Sequence, residues 1–405
     1  MSDDDRRRLA VRVTPDALRQ IRGGHPWVYD ASITSVSHAG DAGDLAVVFD
    51  DKRRFAAIGL WDPHSPIRIK ILHVGSPTTI DADWLRRRIA AAIGRRASLA
   101  TSGHTTGYRL VHGENDGLPG LVVDRYDTAL VVKLYSAAWF AHLDAVVVAL
   151  ATELGPECVV LRLARSVAPQ APDGLGDGAT VLGAEPTTPQ LFTEHGLVFE
   201  ADLVRGQKTG HFLDQRDNRA LVRSLAEGAR VLDVFCCTGG FTVHAAAGGA
   251  ESVLAVDLAV PALATLRRNL AHNGDHPAVE RCAVTTQAGD AFDAMAALAA
   301  EGRRFDIVVV DPPSFAGKRA DVERALRSYA RLTELALPLV ASGGVLLQAS
   351  CSSRVSAEDF FASVHSVAAR SAVRLDELAR TGHALDHPVG FAQGEYLKAI
   401  VAQRR

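Results

Sequence analysis

Two side chains in the C-terminal half could act on a flat nitrogenous ring. Asp311 opens the run Asp311-Pro312-Pro313-Ser314-Phe315, directly after the apolar segment Phe305–Val310. The prolines stiffen the backbone there and leave a carboxylate at a strand end, where it can accept or share a proton with a ring nitrogen of a nucleobase. Cys351 follows a second apolar run, residues 344–349. A lone cysteine is commonly a small buried hydrophobe, but at the end of a strand beside that of Asp311 it faces the same mouth. A thiolate activated by nearby positive charge or a helix N-terminus attacks electron-poor carbon. C6 of a pyrimidine is such a carbon, attack there makes C5 nucleophilic, and a hydrogen bond at N3 from Asp311 eases the attack.

A second group of residues suits a nucleoside cofactor. In Val231-Leu232-Asp233-Val234-Phe235-Cys236-Cys237-Thr238-Gly239-Gly240-Phe241 a strand runs into a Gly-Gly turn and then a helix over 241–247, whose N-terminal amides favour negative charge. Asp257 closes the next strand and can accept from ribose hydroxyls. Asp290, after a third strand, is placed to take the exocyclic amine of an adenine. The glycines do not form the dinucleotide pattern GxGxxG, which speaks against a nicotinamide enzyme. The Thr-Gly-Gly turn suits S-adenosylmethionine, which has no pyrophosphate to cradle; the bland alternative is an ordinary strand-to-helix turn.

These residues need a sheet to gather them. Strands are expected over 231–235, 252–256, 305–310, 344–349 and 396–401, with helices over 261–273, 322–340 and 357–370 between them. Buried strands separated by helices predict a parallel, doubly wound α/β sheet that binds ligands at its carboxyl edge. Upstream, short strands over 6–74 with one helix at 15–22 predict a small β-barrel. A helical pattern over 81–99, strands near 110, 118–124, 129–134, 158–163 and 197–203 and a helix over 138–154 predict a small α+β domain, with 166–189 as a flexible loop or domain edge. The expected domains are 1–76, 77–200 and 201–405.

The 405 residues are 47% hydrophobic and 22% charged, an ordinary globular composition that excludes disordered, collagenous and coiled-coil classes. No uncharged run is long enough to span a membrane, and the charged first dozen residues are unlike a secretory signal, so a cytoplasmic protein without a membrane partner is expected. Five cysteines without a CxxC pair predict neither a disulfide framework nor a metal site. The balance of 44 basic against 47 acidic residues gives a net charge of -3. That speaks mildly against a phosphate-backbone binder, although RNA binding needs only a local basic face. The expectation is weak general affinity for RNA, with selectivity from shape and a flipped base.

The run Gly206-Gln207-Lys208-Thr209-Gly210-His211-Phe212-Leu213-Asp214-Gln215-Arg216-Asp217-Asn218-Arg219, together with the motifs above, resembles the RlmI-like family of class I methyltransferases that make 5-methylcytosine in 23S ribosomal RNA. Gly24-His25-Pro26-Trp27-Val28-Tyr29 resembles the start of that family's N-terminal PUA domain, a small RNA-binding barrel. Residues 113–126 resemble its middle α+β domain, and Asp386-His387-Pro388 and Tyr396-Leu397-Lys398 its C-terminal strands. The resemblance implies a Rossmann-like methyltransferase sheet behind two smaller domains, with S-adenosylmethionine as cofactor. It implies Cys351 as nucleophile, with Asp311 its partner at the base and the cofactor. Phe212, Gln215, Arg216, Phe235, Thr238, Gly239, Gly240, Asp257 and Asp290 would surround the cofactor. Lys208, Arg109, Arg125 and Trp27 are the expected RNA contacts, although Trp27 could equally be barrel core; 23S ribosomal RNA and a second copy of the chain are the expected partners. His244 reads as a helix-packing residue, and the Arg6-Arg7-Arg8 triplet as solvated. The chain departs from the family at Ser314, where relatives often carry Lys, and at Gln393, where they often carry Glu. The base that removes the C5 proton is therefore open among Glu395, Asp386 and His387. Uridine as target, or a non-catalytic RNA-binding factor, are the competing readings.

Overall fold

Leu9, Val11 and Val13 are buried along Arg8–Val13 (β1) while Arg8, Ala10 and Arg12 face outward, the period of two that a half-buried strand requires. The structure, a computed structural model, describes residues 8–206 and 208–405; Arg6, Arg7 and Gln207 lie outside the described residues. The Thr14 hydroxyl accepts from the Ala17 N–H to start Pro15–Arg22 (α1). Trp27–Tyr29 (β2), Ile33–Val36 (β3), Leu45–Phe49 (β4), Phe55–Trp61 (β5) and Ile67–Val74 (β6) complete a six-stranded sheet of order β2-β6-β5-β4-β1-β3. Leu9, Val11, Ile21, Val28, Val48 and Ile69 pack between this sheet and α1.

Asp81 caps Ala82–Gly94 (α2) by accepting from the Trp84 N–H, and Ala97–Thr101 (α3) follows. Gly107–His112 (β7), Leu121–Tyr126 (β8), Ala129–Leu134 (β9), Cys158–Leu163 (β10) and Thr180–Gly183 (β11) form a second sheet in the order β11-β10-β9-β8-β7. The loop expected over 166–189 therefore contains an edge strand, too short and too flanked by Gly and Pro to stand out in the sequence. The helix expected over 138–154 begins as a 3-10 segment, Ala137–His142, and becomes α-helical at Leu143–Leu154 (α4). Ala137–Leu154 has the length and apolar character of a membrane span, yet its inner face, Leu143, Val146 and Leu150, is core.

The chain forms two compact units. The first comprises residues up to Thr193 with Ala201–Leu213 and Leu385–Phe391. A single apolar cluster runs through it, from Leu45 and Leu60 to Leu110, Trp139 and Leu161. The boundary expected at 76/77 thus lies inside this unit, whereas 200/201 coincides with a passage of the chain between units. The hairpin Gln190–Glu194 (β12) and Leu197–Ala201 (β13) contains two such passages.

The second unit comprises Glu194–Glu200, Asp214–Ala384 and Ala392–Arg405. Its sheet has the order β16-β15-β14-β17-β18-β20-β19, from Arg230–Val234 (β14), Ser252–Asp257 (β15), Ala283–Ala288 (β16), Phe305–Val310 (β17), Val340–Ser350 (β18), Leu375–Thr381 (β19) and Lys398–Arg404 (β20). Arg216–Leu225 (α5), Gly240–Ala247 (α6), Val260–His272 (α7), Pro277–Arg281 (α8), Ala291–Ala300 (α9), Val322–Ala336 (α10) and Ala357–Arg370 (α11) are its helices. Strands β14 to β18 pair in parallel. The all-parallel expectation is corrected at the far edge, where β20 runs antiparallel to both β18 and β19. A parallel return needs a long crossover, usually a helix, and the 382–397 connection holds only the 3-10 turn Ala392–Gly394. The helix expected to reach 340 stops at Ala336, because Pro338 turns the next three residues into a 3-10 segment before Val340 enters β18.

Candidate active site

The loop after β14 is built from unusual backbone. Phe235, Cys237 and Gly239 take φ of +63°, +50° and +82°, a region that side chains with a Cβ adopt at a cost. A Cβ at Gly239 would run into Leu266 of α7, so glycine is required there. Asp257 at the end of β15 stabilises this loop from below. Its Oδ2 accepts from the Cys237 N–H at 2.8 Å and its Oδ1 from the Ala259 N–H at 2.8 Å. Asn269 donates to the Thr238 carbonyl at 2.8 Å, and Gly240 opens α6 with Arg219 packed directly against its Cα. Beneath the loop Asp233 is buried; its Oδ2 accepts from Thr242 Oγ1 at 2.6 Å, and its Oδ1 has no hydrogen-bond partner among the described residues. Burial pushes this carboxyl up to about 7, and the Asp257 charge adds to the effect.

Asp290 is exposed, and its Oδ1 accepts from the N–H groups of Phe292 and Asp293 at 2.8 and 3.2 Å to cap α9. A ligand amine could therefore meet only its other oxygen. Leu258, next to Asp257, is 73% exposed, an apolar surface at the strand ends where a flat ring could lie. The sequence reading missed it because an isolated exposed leucine is unremarkable by pattern alone.

Asp311 and Cys351 stand at the ends of the neighbouring parallel strands β17 and β18, in which Val310 pairs with Gln348. Both are half-buried, and the Cys351 thiol lies 3.8 Å from the Pro312 carbonyl. Gln215, buried just before α5, donates from Nε2 to Asp311 Oδ1 at 2.8 Å. Tyr396 donates its hydroxyl to Asp214 Oδ2 at 3.0 Å. Arg216 is buried and pairs with Asp217, so it offers no surface cation. Tyr329 of α10, held between Phe315 and Phe360, accepts from Ser350 Oγ at 2.9 Å. Burial pushes up the thiols of Cys158, Cys236, Cys237 and Cys282, the last two to about 11.

The remaining expected residues lie in the first unit. Lys208 Nζ stacks 4.1 Å from the Phe212 ring. Arg109 grips Asp124 with two N–H groups at 2.7 and 3.0 Å. Arg125 lies over Tyr108 and donates to the Asp127 carbonyl at 2.7 Å. Trp27 is half-buried, its indole N–H donating to Glu114 at 2.9 Å and its ring edge-on to Phe391. Asp386 and His387, two of the candidate bases, have partners within this unit. Both are buried in this unit, where Asp386 accepts from the Arg109 N–H at 2.9 Å and His387 packs 5.0 Å from the His112 ring.

Two buried arrangements escaped the sequence reading. Glu194 accepts from Arg219 Nε and Nη2 at 2.6 and 2.5 Å, and lies 3.1 Å from His244 Nε2. His244 is thus paired to a carboxylate rather than merely packed. Burial opposes the Glu194 charge, but Arg219 and His244 hold its carboxyl well below the usual range. No local spacing links residues 194, 219 and 244. Lys398 is the other: it is 3% exposed on β20 and donates to the carbonyls of Ser352 and Val355. Its signal was legible, since a lysine inside the run Leu397-Lys398-Ala399-Ile400-Val401 must be buried with partners.

A family model of S-adenosylmethionine-dependent methyltransferases matches residues 109–398. The chain belongs to that family. A PUA-like domain model matches residues 11–73, covering most of the six-stranded sheet and α1. Over 401 residues the methyltransferase is 47% identical to a protein of Deinococcus radiodurans named "Ribosomal RNA large subunit methyltransferase", covering 98% of this chain and 97% of that one. It is 36% identical over 402 residues to "Ribosomal RNA large subunit methyltransferase I" of Shewanella amazonensis, covering 98% and 99%. Its fold is shared with a crystallised methyltransferase complexed with SAH, at a TM-score of 0.82 and 21% identity over 98% of this chain and 99% of that one.

The methyltransferase's own residues fit the family's cofactor. Gly239 and Gly240 keep side chains out of the loop, Asp257 presents two carboxylate oxygens, each with a lone pair beyond its backbone partner, and Leu258 offers an apolar face. These residues, with Phe235 and Thr238, would hold S-adenosylmethionine, which supplies an electrophilic methyl group when bound.

Proposed function

We propose that the protein methylates C5 of a cytosine in 23S ribosomal RNA through a covalent adduct on Cys351. The observation that carries this reading is the pairing of a half-buried thiol and a half-buried carboxylate, Cys351 and Asp311, at the ends of adjacent parallel strands beside the glycine loop. The names of the Deinococcus and Shewanella relatives support ribosomal RNA of the large subunit as the substrate class.

In this reading the Cys351 thiolate forms a bond to C6 of the ring. The displaced electron pair makes C5 nucleophilic toward the cofactor's methyl group, and Asp311 stabilises the ring through N3. Removal of the C5 proton then expels the thiolate and restores the aromatic ring. Glu395 is our assignment for that proton, because it is exposed while Asp386 and His387 are buried. Residues 1–76 serve as the RNA-reading barrel, 77–200 as a connecting domain and 201–405 as the transferase, in a cytoplasmic enzyme.

The test is methyl transfer from labelled cofactor to total ribosomal RNA of a strain lacking the protein, followed by mapping of the methylated base. The wild type should label a 23S cytosine at C5, and Cys351→Ala should label nothing. Label at a uridine would replace the target, and unchanged transfer by Cys351→Ala would remove the thiolate route.

A further inference from the structure

Lys398 brings a buried positive charge to the loop that carries Cys351. It is the first residue of β20 and sits directly opposite Ser350 in the antiparallel pair with β18, one residue before the cysteine. Its Nζ donates to the carbonyls of Ser352 and Val355, the second at 2.6 Å. These two acceptors take two of the three ammonium N–H groups and tie the ammonium to the chain on the C-terminal side of Cys351. Among the described residues no carboxylate is one of its hydrogen-bond partners.

We propose that Lys398 is a positioning residue that holds the Cys351 loop and stabilises the cysteine as a thiolate, so that the nucleophile is formed before RNA binds. Two arguments support this. A buried ammonium held by neutral carbonyls is stabilised by a nearby negative charge, and a thiolate at the next strand end would supply one. Burial pulls Lys398 down to about 8, and the charge that most opposes that pull is Cys351, ahead of Glu395. Electrostatic coupling is mutual, so the cation that a thiolate stabilises also stabilises the thiolate. Other titratable groups around this pair are Glu395, Asp311 at the end of β17 and Tyr329 on α10, while His383 after β19 accepts from the Leu397 N–H beside Lys398. Glu377 and Arg380 on β19 neutralise one another. Asp311 and a charged Tyr329 would disfavour the thiolate. Tyr329 is raised to about 12 by burial and stays neutral, and Lys398 is a favourable charge among these groups.

The inference rests on the proposed role of Cys351, and its test separates the two. The pH dependence of iodoacetamide labelling is followed at the Cys351 peptide by mass spectrometry, on the full chain without RNA or cofactor. The wild type should label with a midpoint below the ordinary thiol value of about 8.5. Lys398→Met should raise that midpoint by about one to three pH units, and Lys398→Arg should keep it low. A wild-type midpoint at or above the ordinary value overturns the proposal, even if Lys398→Met does not fold. Coincident wild-type and Lys398→Met midpoints overturn it as well. Loss of the nucleophile assignment would appear instead as undiminished methyl transfer by Cys351→Ala, with the labelling profile unaffected.

Discussion

Gln215 donates to Asp311 Oδ1 at 2.8 Å because the other end of its amide is already held: Gln215 Oε1 accepts from Asn218 Nδ2 at 2.6 Å, and Asn218 Oδ1 accepts from Thr381 Oγ1 at 2.5 Å. The chain from β19 through α5 to the end of β17 therefore fixes which face of the amide meets the carboxylate. One oxygen of Asp311 is thereby set as an acceptor from the protein, which fixes the orientation of the carboxylate at the end of β17.

This relay predicts that Gln215→Leu lowers kcat by about 10- to 100-fold, since a misaligned group near the reacting atoms costs about that much. The thermal midpoint should move little by comparison. Steady-state methyl transfer alongside a thermal melt checks this; a change confined to stability would assign Gln215 to packing.

Glu395→Gln should stop the reaction after the methyl group has been delivered. With the proton acceptor gone and Cys351 intact, the RNA stays bonded to the enzyme. Denaturing electrophoresis should show an adduct that accumulates with time and is absent in Cys351→Ala. Wild-type turnover by Glu395→Gln would hand the proton to another acceptor.

Asp233 predicts a pH dependence of stability. Its carboxyl is raised from 3.8 to about 7 in the folded protein. The folded state thus holds the proton more tightly, and the associated stability is complete below about 4 and lost as pH rises through 7. The full difference is on the order of 4 kcal/mol. Asp233→Asn keeps an oxygen for the Thr242 hydroxyl and removes the titration. Thermal melts from pH 5 to 9 should show the wild type losing stability and Asp233→Asn holding level; parallel curves would contradict the assignment.

The strands and motifs of the second unit were legible because each is local. Phe305–Val310 is an apolar run broken only by Asp306 and ending at Asp-Pro-Pro, and Ala357–Arg370 has a Ser cap and a helical apolar face. What stayed hidden depends on long-range pairing. The antiparallel course of β20 follows from a connection whose geometry no periodicity encodes. The Glu194, Arg219 and His244 triad joins three elements far apart in sequence. Asp386 and His387 read as candidate bases in a motif resembling the family's C-terminal strands, yet their partners Arg109 and His112 lie more than 270 residues upstream.

The chain passes between its two units five times, at 193/194, 200/201, 213/214, 384/385 and 391/392. Neither unit is therefore contiguous, and no single cut separates the first unit from the second with all of its segments. A piece ending at Thr193 would leave the Arg109 amide without Asp386, and a piece beginning at Asp214 would leave Arg219 without Glu194. The first unit takes Leu385–Phe391 from near the far end of the sequence, so a ribosome must make almost all of the second unit before the first has every segment it needs.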